Sequence, residues 1–179
     1  MKYMRVAAVA AFAILMLSNS PVFADDTFEA DANAALKQLY LDTPAAKIIG
    51  DKAKAVLVFP NIVKAGFIVG AHYGEGVLLV NGKLVAHYNS VAASYGLQAG
   101  VQSFGYAMFL MTDKALQYLD KSDGWELGVG PSIVVVDLGK AKSLTTTTLK
   151  DDVYAFIFDQ KGLMAGLGLQ GSKITKLDK

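Results

Sequence analysis

Four lysines are the residues in this chain whose spacing most readily suggests chemistry. Lys47, Lys52, Lys54 and Lys64 fall in a short stretch that contains one acid, Asp51. Ammonium groups so placed can hold an anionic headgroup through charge-assisted hydrogen bonds, and each lysine near an anionic membrane contributes roughly 1 kcal/mol. The other reactive side chains do not form a catalytic set. His72 and His87 are the only histidines, and Glu75 is the only acid near either, which suits hydrogen-bonded strand histidines better than a metal site. Asp120, Asp123, Asp137, Asp151 and Asp152 fall at expected helix ends and turns, where aspartates serve local roles. Gly166–Gly171 spells G-x-G-x-x-G, but only eight residues follow it, too few for the helix, strand and ribose-binding acid of a dinucleotide fold. Gly100–Gly105 contains Ser103 without the spacing of a nucleophile elbow. The chain therefore reads as non-catalytic, with no cofactor and no metal.

Composition narrows the field further. The 179 residues are 53% hydrophobic and 18% charged, too apolar for disorder, and suit one domain with a sizeable core. A net charge of +1 gives no field to attract nucleic acid. Cysteine is absent, which removes disulfides, thiol nucleophiles and a lipidated N-terminal cysteine. Lys2 and Arg5 precede twelve apolar residues, Val6–Leu17, and Val22-Phe23-Ala24 offers small residues before Asp25. That order is a secretory leader over 1–24, too short in its apolar part to span a bilayer. The expectation is a single exported domain over 25–179, periplasmic or in the cell envelope, and not a lipoprotein.

The elements that must position the lysines follow from periodicity. Phe28, Ala32, Ala35, Leu36 and Leu39 recur at helical spacing, and Thr43-Pro44 opens a second helix, so helices occupy about 28–53. From Ala55 the period becomes two. Ala55–Phe59 reads as a strand stopped by Pro60-Asn61, followed by 66–78, a hairpin at Asn81-Gly82, 83–90 and 91–102. A helix at about 113–120 capped by Thr112, and strands near 132–137 and 153–159, complete the pattern. Several strands carry one bulky face and one glycine-rich face. Trp125–Gly130 and Leu163–Gln170 belong to this set, and Gly96–Gly100 resembles Gly162–Gly166. Glycines at bends imply a strongly curved sheet. The fold expected is α+β, a curved antiparallel β-sheet or partly closed β-barrel packed with two or three short helices. The glycine rows suit curvature and close packing first. They also suggest a groove for an acyl chain, bounded by Gly66, Gly70, Gly74, Gly76, Gly96, Gln98, Gly100 and Gln102. Residues 84–112 carry no charge, yet the helices and aspartate-rich turns disfavour an outer-membrane barrel.

The segments Lys52–Asn61, Lys64–Phe67, Gly74-Glu75-Gly76, Ser94–Gly100, Gln102-Ser103, Ser122–Pro131 and Lys161–Gly166 together resemble the SYLF domain over about 40–175. The resemblance implies a lipid-binding module: animal members recognise phosphoinositides, fungal members bind and bundle actin, and bacterial members are exported. Here it implies an anionic phospholipid or fatty acid as partner, at or near a membrane surface, in the envelope. The alternative is an envelope protein-interaction or structural module with no lipid ligand.

Overall fold

The computed structural model describes residues 23–121, 125–126, 130–136, 149–162 and 172–178, with side chains for all of these except 23–26, 67–68, 94–99, 125–126 and 162. Two helices come first, α1 (Phe23–Asp42) and α2 (Pro44–Gly50). Ala32, Leu36 and Leu39 form the buried stripe of α1, and Ala45, Ala46 and Ile49 that of α2. Pro44 supplies a pre-set helical φ at the first position, which is why a new helix starts directly after α1.

Two strands then dominate: β1 (Ala55–Val80, 26 residues) and β2 (Lys83–Leu110, 28 residues). They pair antiparallel along their lengths, joined at Asn81-Gly82, where φ is 51° and 73°. Both values lie in the left-handed region that the tight hairpin turn requires. The breaks expected at Pro60 and near residue 90 are not strand ends. Pro60 sits in a bulge between the pairs Phe59–Tyr106 and Ile62–Phe104, on a strand that pairs with β2 alone among the described residues, and at a bulge a missing N–H costs no ladder bond.

The remaining elements are α3 (Asp113–Lys121), β3 (Trp125–Glu126), β4 (Ile133–Val136), β5 (Val153–Gly162) and β6 (Lys173–Leu177). Thr112 caps α3, its Oγ1 accepting from the Ala115 N–H at 3.2 Å. The other edge of β2 carries β6 along 87–91 and β5 along 102–110. β3 extends the sheet beyond β6, and β4 pairs parallel with β5. The six strands form an open, mostly antiparallel sheet with three helices among the described residues, so the barrel alternative gives way to the curved sheet. The reason is visible in the topology: β1 and β4 lie at opposite edges and do not pair. The strands expected over 127–129 and 163–170 lie outside the described residues, as does nearly all of the leader.

Core residues cover both faces of the sheet at its helical end. One face packs Val56, Val58, Val77, Phe109 and Phe156 against α1 and α2. The other gathers Leu57, Phe59, Tyr106, Met108 and Leu110 with Ala115 and Leu119 of α3. Asp152 ties the start of β5 to its neighbours. It accepts from the Thr112 hydroxyl at 2.9 Å and from the Ser132 N–H at 3.2 Å.

Candidate functional site

The four lysines do not converge. Lys47, Lys52 and Lys54 lie on the surface around the end of α2. Lys47 pairs with Asp51 and stands 5.8 Å from the centre of the Tyr40 ring. Lys54 donates to Asp113 at 2.8 Å. Lys64 is ten residues further along β1 and only 5% exposed. Sequence spacing grouped it with the others, but the strand carries it away and turns it inward.

A cleft of about 340 Å³ opens beside the three surface lysines, between α1, the α2–β1 junction and the hairpin turn. Asn33, Tyr40, Asp51, Lys54 and Asn81 are among its walls. Burial, aided by the Asp51 charge, pushes the Tyr40 hydroxyl up to about 12, so it stays protonated at neutral pH. Gly50 lies beneath that ring: a Cβ there would lie 2.3 Å from the Tyr40 oxygen and would displace the ring.

The glycine row of β1 is occupied by the protein itself. A Cβ on Gly74 would fall 2.6 Å from Ile62 Cγ1, and one on Gly76 2.5 Å from the Phe59 ring. A Cβ on Gly66 would meet the Gly70 Cα at 2.3 Å. The strand coils so tightly that its late glycines rest on its early residues. Gly70 and Gln102 are buried on the same inner surface, while Gly100 is exposed with φ at 134° and open space beside it. The side chain of Gln98, and the surroundings of Gly96, lie outside the described residues.

Beyond the helical end, the ribbon of β1 and β2 has an inverted pattern. Its outer surface carries Val63, Val69, Tyr73, Val91 and Val101, with Val69 and Val101 each 62% exposed. Tyr73 and Val91 are directly opposite each other, and the Tyr73 hydroxyl donates to Glu75 at 2.7 Å. The inner surface is polar. Lys64 lies opposite Gln102 on the neighbouring strand, and both are buried. His72 Nε2 lies 3.2 Å from the Ser90 hydroxyl and 3.4 Å from that of Ser172. Its ring stands edge-on to Phe104. Burial, and secondarily the Lys64 charge, hold His72 below the usual histidine range. His87 points to the other face, against Phe28 of α1, so the two histidines cannot share a ligand. Sequence reasoning assigned His72 a structural role but no link to Lys64. The shared even parity of 62, 64, 70, 72 and 74 was the available signal.

No described helix is long and apolar enough to cross a membrane. Among the described residues, no group of three His, Asp or Glu side chains is placed to hold a metal.

Comparison with known proteins places this architecture. Residues 91–179 match the model of the family described as "Ysc84: Las17-binding protein actin regulator". The chain is 31% identical over 143 residues to "Beta cell expansion factor A" of Aeromonas veronii, covering 79% of this chain and 53% of that protein. It is 30% identical over 135 residues to "SH3 domain-containing YSC84-like protein 1" of Rattus norvegicus, covering 72% of this chain and 38% of the relative. The human protein of that name is 29% identical over the same length. The chain thus spans about half, or less, of the length of these curated relatives. The matched segment contains most of β2, α3 and all of β3 to β6, and leaves out α1, α2 and β1, the strand that carries Lys64 and His72. The chain belongs to the Ysc84 family, the family of the SYLF domain.

Proposed function

We propose that this protein is a non-catalytic lipid-binding module that works at a membrane surface of the cell envelope, with an anionic phospholipid or fatty acid as its ligand. The observation that carries this reading is the inversion of the outer ribbon. A soluble sheet turns its apolar residues inward, whereas a surface that meets lipid turns them outward and keeps polar groups inside. Val63, Val69, Tyr73, Val91 and Val101 are arranged in the second way. Tyr73 adds an amphipathic ring of the kind enriched at membrane–water boundaries. Lys47, Lys52 and Lys54 are exposed at the helical end, where positive charge strengthens attachment to an anionic surface.

Vesicle flotation tests the reading. Wild-type protein is expected to float with phosphatidylglycerol vesicles, and Val69→Glu combined with Val101→Glu is expected to remain at the bottom while keeping its circular dichroism spectrum. Both positions are exposed, so the fold tolerates the charge but lipid does not. Equal flotation of the double variant and the wild type would exclude this face as the contact. Failure of wild-type protein to float, together with recovery of one defined protein after cross-linking in cells, would move the assignment to an interaction module.

A further inference from the structure

The cleft at the helical end lies apart from the outer valines and plays no part in the membrane contact. Its volume of about 340 Å³ falls at the low end of the roughly 300–1,000 Å³ typical of small-molecule sites. Three chain segments supply its walls. Asn33 and Tyr40 come from α1, Asp51 and Lys54 from the α2–β1 junction, and Asn81 from the hairpin turn. Leu36, Val56 and Leu79, all buried, give it an apolar side. The charged walls are already neutralised, since Asp51 pairs with Lys47 and Lys54 with Asp113. A charged occupant would have to compete with those pairs, whereas a neutral one leaves them intact. The uncharged polar walls are two carboxamides and a phenol, each able both to donate and to accept hydrogen bonds. The phenol keeps its proton, because burial and the Asp51 charge push Tyr40 up to about 12. Asn33 is not explained by the helix that carries it. It stands in mid-helix between Ala32 and Ala34, where a third alanine would favour the helix more.

We propose that this cleft binds a neutral sugar ring, either as a free sugar or as the end unit of a glycan. A pyranose has the matching duality: hydroxyls around its rim that donate and accept, and C–H groups on its faces that suit apolar side chains. Asn33 and Asn81 take neighbouring hydroxyls through their carboxamides, and the Tyr40 hydroxyl adds a third contact. Leu36, Val56 and Leu79 meet the C–H groups. The site is independent of the lipid reading, and its test uses neither vesicles nor phosphate. Failure of one therefore leaves the other standing.

The experiment titrates 15N-labelled protein with the methyl glycosides of glucose, galactose and mannose, with N-acetylglucosamine, and with the disaccharides cellobiose and chitobiose. Concentrations run to about 100 mM, because a single ring makes few contacts. Sorbitol, an acyclic polyol with no ring face, is the control. The readouts are the side-chain NH2 signals of Asn33 and Asn81 and the Gly82 amide. Saturating shifts are expected with at least one sugar and not with sorbitol. Asn33→Ala and Asn81→Gly are each expected to weaken binding about three- to tenfold, read at the signals that remain. Both should fold: Asn33 is exposed on a helix, and glycine accepts the φ of 51° at position 81. A disaccharide that binds more tightly than its single ring supports a glycan end, and equal binding supports the free sugar. Absence of saturation with every sugar overturns the proposal. So does an equal response to sorbitol, or sugar binding that both variants leave unchanged.

Discussion

The two ends of the long ribbon obey opposite rules. At the helical end, residues 55–59 and 104–110 are buried on both faces, under α1 and α2 on one side and α3 on the other. At the far end, the described side chains of 62–66, 69–74, 90–93 and 100–102 place polar groups inside and present valines and a tyrosine to solvent. One pair of strands therefore contains a conventional core and an inverted surface, separated by the bulge at Pro60. The helical end gives stability, and the far end has the features a membrane contact would use. The clearest way to break this division is to compare the cost of truncation in each half. Phe109→Ala removes a ring packed edge-on to Phe156 in the core and is expected to cost about 3–5 kcal/mol in chemical denaturation. Val101→Ala on the outer surface is expected to change stability by less than about 0.5 kcal/mol. A large cost at Val101 would mean that the outer surface is covered, and the contrast would fail.

Glycine substitutions sharpen the same comparison at smaller magnitude. Gly76→Ala places a methyl group 2.5 Å from the Phe59 ring and 2.7 Å from the Val58 carbonyl oxygen. The ring can move, but the backbone oxygen cannot yield easily, so a loss of about 1–3 kcal/mol is expected. Gly100→Ala meets open space, and its cost comes from φ alone, about 1 kcal/mol. If the two variants proved equal, the coiling of β1 onto itself would not be a constraint on the sequence.

The contrast also shows what could be read without coordinates. Helix positions, the Thr112 cap, the Asn81-Gly82 hairpin and the period of two were legible because each depends on neighbours within a few residues. The path of the ribbon was not. Pro60-Asn61 looked like a stop because a bulge and a strand end have the same local chemistry. The glycine face looked like a space for an acyl chain. Which side of a strand faces the core depends on elements distant in sequence, and here the early residues of β1 fill the room beside Gly74 and Gly76. Lys64 was misgrouped for a related reason: sequence proximity to Lys54 carries no information about which face a strand residue occupies. The polar partners of His72 come from residues 18 and 100 positions away, a separation that no local pattern reports.

The inner surface should announce itself in pH dependence. His72 titrates below its ordinary 6.5 in the folded protein, chiefly through burial and then through Lys64. Its neutral form is thus the one the fold prefers. Above pH 6.5 this contribution is fully present. As pH falls below 6.5 the unfolded chain takes up the proton first, and stability declines until the folded pKa is reached. His72→Gln should flatten that part of the pH–stability profile, measured by urea denaturation between pH 7 and 5. An unchanged slope in His72→Gln would assign the titration elsewhere.

The smallest effects are expected from the surface lysines. The Lys54–Asp113 pair links the α2–β1 junction to α3, but both side chains are about half exposed or more, at 47% and 69%. Attraction in water is weak, and fixing two flexible side chains opposes it, so Lys54→Ala should change stability by at most about 1 kcal/mol, and less in high salt. Its consequence for binding is separable from stability. Replacing Lys47, Lys52 and Lys54 together by alanine leaves the outer valines untouched, so flotation should persist while its preference for phosphatidylglycerol over phosphatidylcholine shrinks. If flotation is lost altogether, attachment is electrostatic and begins at the helical end, and the far end would then act only after the protein has reached the surface. If the preference is unchanged, these three lysines do not carry the charge recognition.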